Sequence, residues 1–124
     1  MKKILNVLLV CMLMFISGCG EKRPDDVPEA VYNDGVKAIE VFDKYWDAQI
    51  SAEDAKERLE NISDRRPYQI EQEYPDATGM EEVNILKVYQ YIDSMAYSIM
   101  FTTEEGALEK RNELAEVLNK KPIR

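Results

Sequence analysis

Apolar side chains recur at intervals of three and four residues in four stretches of this chain, as on one face of an α-helix. The spacing predicts helices over about 27–49, 51–64, 80–101 and 103–120. Each helix has an apolar face that another element must bury. The pattern therefore predicts an all-α fold, a small antiparallel four-helix bundle built from two αα-hairpins.

The first predicted helix carries one apolar stripe, which Gly35 interrupts. Since a glycine inside a helix costs about 1 kcal/mol relative to alanine, its presence predicts a close crossing with another helix. Asp25 or Asp26 is the predicted cap of this helix. The stripe consists of Val31, Ala38, Ile39, Phe42, Tyr45 and Trp46.

The third predicted helix is the most apolar segment after the N-terminal stretch, and we expect it to be the core helix. Its side chains form a heptad-like seam that is widened well beyond one stripe. The seam consists of Ile85, Tyr89, Ile92, Ala96 and Ile99, and it is widened by Leu86, Val88, Tyr91, Met95, Met100 and Phe101.

Capping residues mark three predicted helix starts, at Ser51, at Thr78 and at the pair Thr102 and Thr103. The segments 51–54 and 102–105 have similar capping residues; because these residues are generic in caps, convergent turn chemistry is the favoured explanation and a duplicated hairpin the alternative. Between the two hairpins, residues 68–78 are flanked or interrupted by Pro67, Pro75 and Gly79. This segment is predicted to be the longest loop.

The N-terminus has the organisation of an export signal. Lys2 and Lys3 precede an apolar run over 4–16, which is shorter than the roughly 20 residues of a membrane-spanning helix. The run ends in Ile16-Ser17-Gly18-Cys19, which resembles the lipobox of bacterial lipoproteins. The alternatives are a transmembrane anchor or an ordinary signal with a chance cysteine.

The lipobox resemblance implies a domain organisation. Cleavage between Gly18 and Cys19 would remove residues 1–18 as a signal peptide, and Cys19 would carry a diacylglyceryl group. Residues 19–26 would then form the lipidated N-terminus and tether, and residues 27–121 the helical bundle domain. Two acyl chains suffice for stable anchoring, so we expect a lipid-anchored protein on the extracytoplasmic face of the cell membrane.

Charge narrows the range of partners. Removal of Lys2 and Lys3 with the signal leaves 14 basic and 24 acidic side chains, a formal balance of −10. Such a surface repels nucleic acid, so we expect no nucleic-acid partner. Lys22 and Arg23 stand nearest the proposed anchor, where they would either contact headgroups or act as an ordinary solvated pair.

The chemistry available to the mature chain is limited. It has no histidine, and its two cysteines lie in the signal and at the lipid site, so the commonest general base, metal ligand and thiol nucleophile are missing. We expect no catalytic site, cofactor or metal. Two sets of carboxylates share helix faces and are interpreted as solvated surfaces: Glu40, Asp43 and Asp47, and Glu53, Glu57, Glu60 and Asp64.

Two further patterns concern binding. Residues 43–54 have the length of an EF-hand calcium loop, and their second half, residues 47–54, resembles the end of one. Tyr45 and Ala48, however, occupy positions that need a ligand and a glycine, and a capped helix hairpin explains the same residues without a metal. Four tyrosines are less constrained by core spacing and are candidates for a ligand surface: Tyr32, Tyr68, Tyr74 and Tyr97. The pattern favours a non-enzymatic binding module for a protein or envelope component; the alternative is a small-ligand or solute-binding lipoprotein with a pocket between helices.

We predict that Cys19→Ser abolishes lipid attachment and leaves an unprocessed precursor, because only a thiol can form the thioether. Incorporation of labelled fatty acid and the electrophoretic mobility of the two forms test this. Equal labelling of the variant and the parent would exclude Cys19 as the lipid site.

Overall fold

The computed structural model describes residues 22–64 and 66–123, and these contain five α-helices and no strand. The predicted all-α four-helix bundle is confirmed, because the four longer helices pack against one another. The fifth, shorter helix lies in the connection between the two hairpins. The helices are α1 (Glu29–Trp46), α2 (Ala52–Ser63), α3 (Arg66–Glu73), α4 (Met80–Phe101) and α5 (Glu104–Val117).

Helix directions follow from the connections and from two contacts. Short turns join α1 to α2 and α4 to α5, so each pair is antiparallel. The Asn84 amide donates to the Asp26 carbonyl, and the Tyr89 hydroxyl donates to Asp34, so α1 and α4 run in the same direction. We call the end with turns 47–51 and 102–103 the turn end, and the opposite end the N-terminal end.

Helix α4 packs against both α2 and α5, and the core-helix prediction is confirmed. Every member of its predicted seam is buried, and Val88 and Met95 are fully buried beside it. The prediction was wrong for Leu86, Met100 and Phe101, which are exposed. The neighbouring helices cover only part of the circumference of α4, so its apolar residues extend beyond the buried face.

Helix α1 crosses α5 where Gly35 was expected to permit a close approach. A Cβ atom at Gly35 would lie 2.6 Å from a methyl carbon of Leu118. Because that separation is far inside van der Waals contact, any larger residue would require the buried Leu118 side chain to move. The predicted α1 stripe is buried over Val31, Ala38, Ile39 and Phe42, whereas Tyr45 is half-buried and Trp46 is exposed at the turn end.

Two polar links connect α1 to its neighbours. The Tyr89 hydroxyl donates to the Asp34 carboxylate at 2.6 Å, and both residues are buried. The buried Arg111 guanidinium donates from Nε and Nη2 to the two carboxylate oxygens of Asp43, at 3.0 and 3.1 Å. Because such hydrogen bonds require a specific alignment, they fix the register of α1 against α4 and α5.

Two of the predicted helix caps are confirmed. Ser51 accepts from the Asp54 backbone N–H, and Thr103 accepts from the Gly106 backbone N–H, each at 3.1 Å. These caps lie 52 positions apart, so the alignment of 51–54 with 102–105 is displaced by one residue. The structure therefore gives the duplication hypothesis no support from matching cap positions.

The other predicted caps were wrong. Pro28 occupies the cap position of α1, without a side-chain hydrogen bond, in place of Asp25 or Asp26. Gly79 occupies the cap position of α4 with a φ of 62°, so Thr78 is not the cap. Proline and glycine here supply backbone geometry and not a hydrogen-bond acceptor.

The predicted loop at 68–78 was also wrong in part, because residues 66–73 form α3. Pro67 lies in the first turn of α3, where its missing N–H has no helical partner to lose. Ile70 on this helix is fully buried in the common core. Pro67, which flanks the predicted loop, thus lies at the start of a helix.

The described part of the predicted tether, residues 22–26, lies against the bundle. The Asn119 amide donates to the Lys22 carbonyl at 3.3 Å, and the Asn84 amide donates to the Asp26 carbonyl at 3.1 Å. Val27 and Pro28, which follow, are buried. The segment is therefore attached at both ends to the N-terminal end of the bundle, whereas Gly18 and Cys19 lie outside the described residues.

We predict that Ile92→Ala lowers the free energy of unfolding by about 2 to 5 kcal/mol, because Ile92 is fully buried in the centre of α4. Chemical denaturation measures this loss. The control is Glu57→Ala on the exposed side of α2. Equal loss in the two variants would show that α4 is not central to stability.

Candidate functional site

The main candidate for an interaction surface is the outward side of α4. Six of the eight large apolar side chains that are exposed in the described part of the chain belong to this helix. Single exposed apolar residues are ordinary, but several on one helix indicate a contact surface. The six are Met80, Val83, Leu86, Tyr97, Met100 and Phe101.

Four of these six residues lie on one stripe of the helix. We define the α4 stripe as the exposed residues Val83, Leu86, Gln90, Asp93, Tyr97 and Phe101. Successive members of the stripe are three or four positions apart, so they lie on the same side of the helix. The stripe is apolar toward both ends of α4 and polar in its middle.

Tyr97 and Phe101 form the most prominent part of the α4 stripe. They are 61% and 66% exposed, and their ring centroids lie 5.0 Å apart with a 35° angle between the ring planes. Because the two residues are four positions apart, the helix itself holds the rings together. Rigid aromatic side chains offer a large contact area at a small entropic cost, as in the energetic centres of protein interfaces.

A second candidate is a cleft of about 600 Å³ at the turn end, which we call the turn cleft. Tyr45 and Trp46 form its aromatic wall, and both rings contact Phe42, at centroid distances of 5.7 and 5.8 Å. Asp54 and Glu104 contribute carboxylates. An aromatic wall with nearby carboxylates suits a small ligand that combines a flat or apolar part with positive charge.

A third concave surface runs along α5, with a volume of about 710 Å³. Four glutamates line it at helical spacing, namely Glu105, Glu109, Glu113 and Glu116. Lys110 forms an ion pair with Glu113 at 3.3 Å, as is common on a solvated helix face. The groove makes this side of the bundle strongly acidic.

The carboxylates predicted to form solvated faces do not form a metal site in the described structure. No cluster of three or more potential metal-ligating side chains occurs within residues 22–64 and 66–123. Asp43, the first position of the EF-hand-like segment, is bound to Arg111. Glu60 pairs with Lys56 at 3.0 Å on the surface of α2.

The four candidate tyrosines lie on three different helices and in the segment that follows α3. Tyr68 lies on α3, 68% exposed, and Tyr74 is half-buried just after that helix. Tyr97 lies 17 positions along α4, about 25 Å from the N-terminal end of that helix. Tyr32 is half-buried on α1. Tyr97 contributes to the α4 stripe, and a ligand surface among the other three tyrosines stays a prediction.

The sequence interpretation missed the exposed residues that share the α4 stripe with Tyr97. It predicts that Leu86 and Phe101 widen the core seam, whereas both are exposed. The signal that identifies them is the width of the apolar surface of α4, which exceeds the single stripe that a packed helix needs. Trp46 was likewise assigned to packing, although its ring lies both against Phe42 and in the wall of the turn cleft.

No model of a known protein family, no characterised protein and no solved structure matches this chain. None of the described helices is long and apolar enough to cross a bilayer.

Proposed function

We propose that this protein is a lipid-anchored, non-enzymatic binding module on the extracytoplasmic face of a bacterial membrane, or in the periplasm of a two-membrane cell. Its partner is a protein or another envelope component. The anchoring part rests on the resemblance of Ile16-Ser17-Gly18-Cys19 to a lipobox. The non-enzymatic part rests on the absence of histidine and of an available thiol in the mature sequence.

The observation that carries the binding role is the exposed ring pair of Tyr97 and Phe101. Two adjoining aromatic rings left in water lose the stabilisation that burial of their apolar area would bring. A partner that covers the two rings would gain this stabilisation on binding. Their position on α4, the most buried helix, gives them a rigid support, which reduces the entropic cost of binding.

The acidic residues near the α4 stripe indicate the charge of the partner surface. Asp93 interrupts the α4 stripe, and the glutamate-lined groove lies on α5, which packs beside α4. The mature chain is also strongly acidic as a whole. We therefore propose a protein partner with an apolar pocket for the two rings and with lysine or arginine side chains around that pocket.

The test is the double substitution Tyr97→Ala and Phe101→Ala. We expect it to reduce co-purification of one envelope protein from detergent-solubilised membranes at least tenfold, because each ring would be an energetic centre of the interface. Thermal unfolding should change little, since both side chains are exposed. Quantitative mass spectrometry of the captured proteins measures the loss.

The matched control is Tyr68→Ala, which removes a similarly exposed ring from α3. Capture by the control should equal that of the parent, and capture by the parent should weaken with salt. Equal capture by the double variant and the control would contradict the role of the ring pair. A single carboxylate substitution that abolished a turnover while leaving capture intact would instead establish an enzyme.

The alternative function is a small-ligand receptor, and the turn cleft is the observation that favours it. Trp46 is the single tryptophan of the chain and lies in the cleft wall, so its emission reports on occupancy without a label. If small aromatic cations are the ligands, titration should shift this emission saturably, and Asp54→Asn should weaken the response. The double variant of Tyr97 and Phe101 should bind them as the parent does, which separates the two functions.

A further inference from the structure

The N-terminal end of the bundle carries a basic corner beside the predicted anchor. Lys22 and Arg23 precede α1, and Lys120 and Lys121 follow α5. The Asn119 amide donates to the Lys22 carbonyl at 3.3 Å, which places the two segments side by side. We define the basic corner as these four cationic residues.

The segment after α5 is held in a defined position. The Lys120 backbone N–H donates to the Ala115 carbonyl at 2.7 Å, and Arg111 Nη1 donates to the Lys121 carbonyl at 2.8 Å. Asn112 and Ile123 exchange two further hydrogen bonds, at 2.8 and 2.9 Å. The backbone that carries both lysines is therefore fixed to the side of α5.

The segment before α1 is fixed in the same way. Arg23 Nη1 donates to the Val27 carbonyl at 2.7 Å, and the Val27 backbone N–H donates to the Pro24 carbonyl at 3.2 Å. Val27 itself is fully buried. The four basic residues thus belong to a shaped surface of the domain.

The covalent chain limits how far this surface can lie from a lipid on Cys19. Lys22 lies three positions after Cys19, and a fully extended chain spans about 10 Å over that distance. A domain anchored there would therefore keep the basic corner within reach of the headgroup layer.

Negative charges adjoin the corner as well. Asp25 and Asp26 are exposed in the same segment, and Glu116 lies on the last turn of α5. Glu113 lines the same groove as Lys120, and Glu29, Glu81 and Glu82 lie in the first turns of α1 and α4 at this end of the bundle. The four cations of the corner are thus the part of this end that an anionic bilayer would attract, whereas the carboxylates around them would be repelled.

We propose that the basic corner contacts the headgroups of anionic lipids and thereby orients the bundle on the membrane. This inference rests on the proposed lipid anchor at Cys19. The 22-residue α4 spans about 33 Å from the N-terminal end toward the turn end. Tyr97 and Phe101 are thereby presented away from the bilayer, where a partner in the envelope can reach them.

The test uses the full lipidated protein in vesicles of phosphatidylcholine, with or without phosphatidylglycerol. Once the signal is removed and Cys19 is acylated, an introduced cysteine is the single free thiol. A fluorophore is attached either at Pro122→Cys, beside the corner, or at Glu105→Cys, near the turn end. Nitroxide-bearing headgroups quench labels that lie close to the membrane.

We expect strong quenching at position 122 and weak quenching at position 105 in anionic vesicles. Reversing two charges of the corner, Lys22→Glu with Lys121→Glu, should reduce the ratio of quenching at position 122 to quenching at position 105 by roughly fivefold or more. The control, Lys37→Glu with Lys87→Glu, makes the same change in net charge at exposed positions of α1 and α4. It should retain the parent ratio.

Equal quenching at positions 122 and 105 would overturn the proposed orientation. So would a quenching ratio that changes neither in the corner variant nor in neutral vesicles. In both cases the proposal of a lipid anchor at Cys19 would be unaffected. Mass spectrometry of the N-terminal peptide reports the anchor separately. A peptide without the lipid mass would overturn the proposed anchoring, and this inference with it.

Discussion

Burial of α4 between α2 and α5 is the interaction on which the rest of the bundle depends. Side chains such as Val88, Ile92 and Met95 are fully removed from water, and the burial of each stabilises the fold by about 1.5 to 3 kcal/mol. Helix α1 completes the core through Gly35, which brings it close to Leu118. Because the covering helices surround α4 only in part, the same arrangement also leaves the α4 stripe in water.

The fold could be predicted where local periodicity and packing agree. The bounds of α4 follow from its sustained helical spacing of apolar residues, and Ser51 and Thr103 act as the caps that their hydroxyls suggest. Helix α1 ends three residues earlier than expected because Ala48 adopts a φ of 59°. The Gln49 backbone N–H then donates to the Lys44 carbonyl and closes the helix end. The sequence does not predict this end, because glycine or asparagine usually occupies the position that Ala48 has here.

The candidate site was harder to predict because it depends on which face of α4 remains uncovered. Tyr97 is a ligand-surface candidate because core spacing does not constrain it, but its pairing with Phe101 requires knowing that both residues lie outside the packed seam. The basic corner depends likewise on a contact between Asn119 and Lys22, which are 97 positions apart. Periodicity describes one helix at a time, so it cannot reveal surfaces that tertiary packing assembles.

The two polar links of α1 also bear on the order in which the chain folds. Both hairpins join neighbours in sequence, whereas Asp34 and Tyr89 are 55 positions apart and Asp43 and Arg111 are 68 apart. Loop closure makes such distant contacts slow to form, so the hairpin of α4 and α5 is expected to assemble before α1 docks on it. Interactions that form after the transition state govern how fast a protein opens. The carboxylates of α1 would then act mainly on the lifetime of the folded state and little on the speed of reaching it.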